Sequence, residues 1–160
     1  MALIGLLAAA MAVVFLLVRL RWREGPRRAT RAAPRIVVDG TNVMFWHDNV
    51  ARLQTLQKVV AALRDGGFDP VVFLDASSRH HIGDRTMSPA RFARALGIAD
   101  NRLMVCPART EADAYLLAFA RDEGLPVVSN DRFRDRRSIA DRLRLVRGRF
   151  RGARPVLDGL

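Results

Sequence analysis

Apolar and polar positions alternate along the chain in blocks that predict strands and helices in turn. Short apolar runs predict four buried strands, at Arg35–Asp39, Val71–Asp75, Leu103–Val105 and Pro126–Ser129. Helical spacing and capping residues predict helices between them, at Val50–Leu63, Ser88–Leu96 and Thr110–Arg121, with Ser88 and Thr110 as caps. Strands that alternate with helices imply an α/β fold, in three layers, with a central parallel sheet covered on both faces.

The C-terminal part of the chain has a less decisive pattern. Arg142–Val146 alternates arginine with apolar residues, which favours a fifth strand, although a helix beginning at Ser138 is the alternative. No internal repeat is visible in the sequence.

The N-terminus carries a long uncharged apolar segment. Ala2–Val18 is long enough to cross a bilayer, at the short end of the ~17–25 residues that a spanning helix needs. A cleaved signal peptide carries positive charge before its apolar run, whereas here the arginines follow it. The segment is therefore predicted to be a membrane anchor, with a signal peptide and a buried core helix as the alternatives.

This charge asymmetry also predicts an orientation and a domain plan. The positive-inside rule places the N-terminus outside and the rest of the chain in the cytoplasm. We expect a single-pass anchor over residues 1–20, a basic linker over 21–34, and one folded domain over 35–160 with an arginine-rich C-terminus.

The formal net charge of +11 is concentrated on the two flanks of the domain. Arg19–Arg35 has seven arginines and one acid, and Arg132–Leu160 has ten arginines and three acids, whereas Ile36–Asp131 carries a net −2. Basic flanks suit polyanions, either lipid headgroups beside an anchor or nucleic acid. A solvated, arginine-biased surface is the alternative for the C-terminal run.

Cysteine use excludes two classes of site. Cys106 is the only cysteine, so the chain has no internal disulfide and no zinc site built on several cysteines. The composition fits a reducing compartment.

Carboxylates gather at the predicted carboxyl ends of the strands, where α/β sheets carry their functional groups. Asp39 and Asp75 end two strands, Asp131 and Asp135 follow a third, and Glu111 and Asp113 stand at the start of a helix. Each acid alone fits a turn or a helix cap. Together they would repel one another, and a bound divalent cation with oxygen ligands, such as Mg²⁺, would relieve that repulsion.

Three segments then show a resemblance to a known family. Ile36–Met44 (IVVDGTNVM), Glu111–Leu117 (EADAYLL) and Val127–Asp135 (VVSNDRFRD) resemble, in order and spacing, the NYN ribonuclease domain of the Regnase type, which belongs to the PIN-like superfamily. The likeness runs from about Arg35 to Asp135. DGTNV alone is moderately specific, and its pairing with VVSNDRFRD makes the signal strong.

The resemblance implies a four-aspartate metal site and a set of neighbouring polar residues. The implied metal ligands are Asp39, Asp113, Asp131 and Asp135. Asn42 would orient substrate or a ligand carboxylate, and Arg134 is a candidate phosphate contact. Two departures from the family pattern stand out: Ala112 precedes Asp113 where animal relatives often have adjacent acids, and the CCCH zinc finger is missing. The roles of Asp75 and Glu111 stay open.

The predicted function is a membrane-tethered endoribonuclease that hydrolyses single-stranded RNA with Mg²⁺ or Mn²⁺. The expected products carry 5′-phosphate and 3′-hydroxyl ends. An acidic site needs positive surroundings to hold phosphates, and the nearby arginines would supply them. These predicted substrate-binding residues are Arg132, Arg134, Arg136 and Arg137. The number of metal ions, the RNA target and the oligomeric state, a homo-oligomer included, stay open.

Three other functions compete with this prediction. A haloacid-dehalogenase-type phosphatase also uses a strand-end Asp and a D-x-x-x-D pair, but its nucleophile position is Val37 here, which cannot form a phospho-aspartate. An inactive RNA-binding module would be expected to have lost metal ligands, and all four principal acids are present. A DNA nuclease of the same fold remains an alternative.

Overall fold

A computed structural model describes residues 32–108 and 111–160, which form an α/β domain. Its strands are β1 (Arg35–Asp39), β2 (Asp69–Leu74), β3 (Leu103–Val105), β4 (Val127–Val128), β5 (Leu145–Arg151) and β6 (Arg154–Asp158). Its helices are α1 (Gly40–Met44), α2 (Leu53–Asp65), α3 (Ser78–His81), α4 (Pro89–Leu96), α5 (Ala112–Glu123) and α6 (Arg137–Ala140). Short 3₁₀ turns lie at Asp100–Arg102 and Arg134–Arg136.

The described strands form one sheet in the order β3-β2-β1-β4-β5-β6. The first five run parallel, and β6 pairs antiparallel with β5 as the second arm of a hairpin. The prediction of a parallel sheet is therefore wrong at its edge, where the sheet is mixed. The cause is a two-residue turn, Gly152 having a positive φ of 58°, which reverses the chain directly instead of through a crossover helix.

Helices cover both faces of the sheet, as expected for three layers. On one face, Val38 of β1 and Val72 of β2 pack with Val59 of α2 and Phe92 of α4 in the main core. On the other face, Phe73 of β2 lies 5.5 Å from Phe119 of α5, between ring centroids. Because successive side chains of a strand point to opposite faces, the apolar run in β1 is buried on both sides.

The turn between β1 and α1 brings the backbone against the neighbouring strand. A Cβ atom on Gly40 would lie 2.7 Å from a side-chain carbon of Leu74 and 2.9 Å from one of Val72. A glycine is therefore favoured directly after Asp39, because a side chain here would have to displace Leu74 and Val72 or move α1 away from β2.

The predicted element bounds were confirmed where a local signal marks them. β1, β3 and the helix with Ser88 as cap lie where the sequence predicted them; the Ser88 hydroxyl accepts from the backbone NH of Arg91 at 3.3 Å. The cap predicted at Thr110 lies outside the described residues; α5 begins at Ala112, after Glu111.

At the C-terminal end the structure combines the two alternatives, a short helix α6 and then the strand β5. β5 begins at Leu145, three residues later than predicted, and extends to Arg151.

The predicted membrane anchor lies outside the described residues. Among residues 32–108 and 111–160, no helix is long and apolar enough to cross a membrane. Residues 33–160 form one compact unit.

Candidate active site

Three neighbouring strands and one helix bring four aspartates to a single cleft at the carboxyl edge of the sheet. Asp39 ends β1, Asp75 follows β2, Asp131 follows β4, and Asp113 lies in the first turn of α5. All four line one cleft of about 210 Å³. Since a water molecule takes up about 30 Å³ in the liquid, the cleft has room for several waters or a phosphate group.

Asp39 is the buried centre of this cleft. Its Oδ1 accepts a hydrogen bond from the backbone NH of Asn42 at 3.1 Å, which caps α1, and its Oδ2 accepts from the Ser129 hydroxyl at 2.8 Å. Burial raises the pKa of Asp39 to about 6, the two hydrogen bonds oppose that rise, and the charges of Asp113 and Asp131 add to it. The carboxylate is thus held in place while its ionised form is disfavoured.

Asp113 shares this electrostatic environment. Burial raises its pKa, and the nearby charges of Asp131 and Asp75 raise it further. Cation binding would favour the ionised form of Asp39 and of Asp113, because a positive charge offsets desolvation and mutual repulsion.

Asp75 is the residue whose part in the site the sequence left open. Its backbone NH donates to the Thr41 hydroxyl at 2.8 Å, and its Oδ1 accepts from the backbone NH of Ser77 at 2.8 Å. Asp75 lines the same cleft as Asp39, Asp113 and Asp131. The sequence placed Asp75 at a strand end, and the pairing of that strand with β1 brings it to the cleft.

A second cleft continues from the first and holds three of the remaining predicted residues, Arg134, Asp135 and Arg136. The two clefts share Asp75, Ala112, Asp113 and Asp131. The second is also lined by Glu111, Phe133, Arg134, Asp135 and Arg136. Asp135 thus lies beside the arginines rather than among the residues that line the first cleft. Arg132 and Arg137 are exposed and line neither cleft.

The segment after β4 holds Asp131 in a tight turn. Its Oδ1 accepts from the backbone NH of Phe133 at 2.7 Å, and its own NH donates to the Ser129 hydroxyl at 3.0 Å. Phe133 has a positive φ of 45° and is buried. Such a conformation is strained for a bulky residue, so burial of the ring must hold the turn in place.

Asn42 contacts the same turn from α1. Its Oδ1 accepts from Trp46 Nε1 at 2.8 Å and from the backbone NH of Asn130 at 2.9 Å. The side chain lines the first cleft, and its carbonyl oxygen is committed to holding α1 against the turn.

Neither histidine nor cysteine chemistry fits the clefts. His47, His80 and His81 line neither of the two. Burial, with the charges of Asp75, Asp113 and Asp39, raises the pKa of the Cys106 thiol to about 12, so the thiol is not a nucleophile at neutral pH.

The donor set suits a hard divalent cation. Within the described part of the chain, no three Asp, Glu, His or Cys side chains converge closely enough to hold one ion directly. Mg²⁺ generally binds through one or two carboxylates and keeps several waters, so convergence of three is not required. Asp39, Asp75, Asp113 and Asp131 are all oxygen donors on one cleft, which fits that mode of binding.

Comparison with known proteins identifies the family. The family model described as the Zc3h12a-like ribonuclease NYN domain matches residues 32–150. The chain belongs to this family. The family relationship predicted from IVVDGTNVM and VVSNDRFRD is thereby confirmed, and the described NYN domain contains no zinc finger. A comparison with curated protein sequences returned no match.

Solved structures agree on the fold. The NYN domain is similar to Arabidopsis thaliana nuclear protein-only RNase P 2, with a TM-score of 0.66 and 20% identity over 96% of this chain and 34% of that one. A second structure of the A. thaliana protein matches with a TM-score of 0.61 and 18% identity, over 94% of this chain and 36% of that one. The chain thus spans about a third of the length of these relatives, and the likeness shows the fold.

Proposed function

We propose that the chain is a metal-dependent endoribonuclease that cleaves single-stranded RNA. The observation that carries the proposal is the cleft that four aspartates line, in a chain of a ribonuclease family. The buried Asp39 and the half-buried Asp113, together with Asp131 and Asp75, would hold Mg²⁺ or Mn²⁺. The metal would supply an activated water and stabilise the departing 3′-oxygen, leaving 5′-phosphate and 3′-hydroxyl ends.

The second cleft would bind the RNA backbone next to the acidic site. Arg134 and Arg136 line it, and Arg136 also forms an ion pair with Glu111. Asp135, which lines the second cleft only, would lie between the metal site and the bound RNA phosphates. Arg132 and Arg137, exposed beside the cleft, would add attraction for the polyanion.

The basic hairpin of β5 and β6 would extend this RNA surface. Arg149, Arg151 and Arg154 are exposed, and β5 continues past the end of β4, whose last residue Val128 pairs with Val146. These arginines therefore lie beyond the sheet edge that carries the acids. A single strand leaving the cleft would meet them with its phosphates.

We further propose that residues 2–18 tether this nuclease to a membrane, with the NYN domain in the cytoplasm. The support is the order of the sequence, an uncharged apolar run followed by arginines. Cytoplasmic placement would give the domain access to RNA and free Mg²⁺.

A cleavage assay on the full chain, purified in detergent, tests the catalytic proposal. RNA and DNA of matched sequence are compared with Mn²⁺, with Mg²⁺ and with EDTA, beside Asp39→Asn. We expect RNA cleavage that EDTA and the substitution both abolish. RNA binding without cleavage would indicate an inactive binding module, and equal cleavage of DNA would indicate a general nuclease.

A further inference from the structure

Arg147, one of the arginines in the basic C-terminal run, faces the catalytic turn at close range. Its Nη1 donates to the backbone carbonyl of Ser129 at 2.8 Å and to that of Asp131 at 2.6 Å. The two carbonyls flank Asn130, just past the last residue of β4. One guanidinium nitrogen thus binds the backbone on both sides of Asn130, in the segment that carries Asp131, through charge-assisted hydrogen bonds.

The strand register explains why this residue is in reach. β4 and β5 pair in parallel at Val127 with Leu145 and at Val128 with Val146. Ladder pairing ends there, and the next residue of β5 is Arg147. Its side chain therefore lies level with the backbone that leaves β4, and satisfies carbonyls that a longer β4 would have paired.

Asn130 makes a second connection between the turn and β5. Its Nδ2 donates to the carbonyl of Gly148 at 2.8 Å, while its Oδ1 accepts from the backbone NH of Gly148 at 3.0 Å. A side-chain amide here takes the place of a peptide group in the ladder. The turn is thereby attached to β5 through Asn130 as well as through Arg147.

Trp46 completes this set of contacts by packing against Gly148. A Cβ atom on Gly148 would overlap the Trp46 ring, at 2.1 Å from its nearest carbon, so only glycine allows the contact. Trp46 in turn donates to Asn42 Oδ1, which also accepts from the NH of Asn130. Asn42, Trp46, Gly148 and Asn130 form a closed ring of contacts around the turn.

We infer that the start of β5 is a positioning element for Asp131, and that Arg147 is a positioning residue that sets this carboxylate rather than an RNA contact. The inference rests on the proposed nuclease function for its effect on rate. Its structural part, restraint of residues 129–133 by Arg147, stands independently of activity. Alternation places Arg149 and Arg151 on the same face of β5 as Arg147. The inference nevertheless gives Arg147 a different role from these two arginines.

Arg147→Ala tests the inference against Arg149→Ala, which removes the same charge two residues along. Arg149 pairs with Asp158 on β6 rather than with the turn. In the metal-free full chain, we expect faster hydrogen–deuterium exchange over residues 129–133 in Arg147→Ala and wild-type exchange in Arg149→Ala. Unchanged exchange in Arg147→Ala would overturn the inference, whether or not the protein cleaves RNA.

Kinetics provide the second measurement. Loss of a residue that orients a metal ligand typically lowers activity by about 10- to 100-fold, and we expect Arg147→Ala to lower kcat on this scale while KM and the salt dependence of RNA binding stay like those of wild type. A raised KM with a salt slope as flat as that of Arg149→Ala would identify Arg147 as a phosphate contact and overturn the positioning role.

Two further variants, Arg147→Lys and Asn130→Ala, keep the inference testable if Arg147→Ala fails to fold. Arg147→Lys keeps the charge, and its ammonium group would reach one carbonyl, so exchange and kcat should fall between those of wild type and Arg147→Ala. Asn130→Ala removes the other connection and should increase exchange in the same segment. If Arg147→Ala does not fold, wild-type exchange in both of these variants would overturn the inference. If the variants show these exchange differences but the wild-type protein does not cleave RNA, the result contradicts the proposed function and leaves the inference intact.

Discussion

The hydroxyl of Ser129 donates a hydrogen bond of 2.8 Å to Oδ2 of Asp39. The bond joins the C-terminal ends of β4 and β1, through two residues that are 90 positions apart in the chain. The same hydroxyl accepts from the backbone NH of Asp131 at 3.0 Å. One fully buried side chain thus connects the aspartate of β1 with the turn after β4. The geometry of the acidic site depends on this serine although it carries no charge.

Ser129→Ala is expected to raise the pKa of Asp39 above its value of about 6, because the hydrogen bond from Ser129 favours the ionised carboxylate. The acid limb of the pH profile of kcat/KM should move to higher pH, and NMR titration of the metal-free protein should show the same direction. Ser138→Ala, at an exposed position on α6, is the matched control. An Asp39 titration unchanged from wild type would contradict the role assigned to Ser129.

Asp39→Asn is expected to abolish cleavage and to stabilise the metal-free protein at neutral pH. The folded-state pKa of about 6 lies above the ordinary value of 3.8, so the stability from this group is present at low pH and lost as the pH rises through 6. Urea unfolding of the wild type in EDTA should therefore give about 1 kcal/mol less stability at about pH 7.5 than at about pH 5 from this group. The variant should lack that part of the pH dependence; an identical dependence would argue against a buried, repelled carboxylate.

Asp75→Asn is expected to raise the Mn²⁺ concentration needed for half-maximal cleavage, since Asp75 lines both clefts and its charge raises the pKa of Asp113. Asp135→Asn, which changes a residue of the second cleft only, should act more through RNA binding than through metal binding. Asp141→Asn, after α6, serves as a charge-matched control outside both clefts. If Asp75→Asn has a wild-type Mn²⁺ dependence while Asp135→Asn does not, the four ligands implied by the family resemblance are the better set.

Replacing Arg149, Arg151 and Arg154 together by Ala is expected to weaken RNA binding for all sequences alike. Each lost phosphate contact should reduce the slope of log K against log salt by about 0.7 for a single strand. The triple substitution Lys58→Ala, Arg64→Ala and Arg94→Ala removes the same charge from α2 and α4. Equal slopes in the two triple variants would show that the hairpin is only a solvated basic surface.

Reporter fusions are expected to place the C-terminus in the cytoplasm. The arginines after residues 2–18 would have to cross the membrane against the insertion bias in the opposite orientation. Held inside, they would gain about 1 kcal/mol per charge near anionic lipid. A C-terminal fluorescent protein should be fluorescent and fractionate with membranes. An active C-terminal alkaline phosphatase would reverse the orientation and remove the proposed access to cellular RNA.

Local sequence determined the features that short segments encode by themselves. An apolar run that is buried on both faces predicted β1 over its full length, and Ser88 followed by Pro89 predicted the start of α4. The convergence of Asp39 and Asp131 also followed from sequence, because strand ends of a parallel sheet share one edge, and the helix that carries Asp113 begins at that edge. The spacing of IVVDGTNVM and VVSNDRFRD was sufficient to indicate the family.

Tertiary structure alone decided which neighbours complete the site. The order β2-β1-β4 brings Asp75 and Ser129 to Asp39 from either side, and no local pattern encodes strand order. The same holds for Arg147: in sequence it is one of ten arginines in a basic tail, and only the register of β5 on β4 gives it two backbone carbonyls to bind. A charge pattern indicates which segments favour a solvated or polyanion-binding surface, whereas a hydrogen bond depends on distances that only the packed sheet sets.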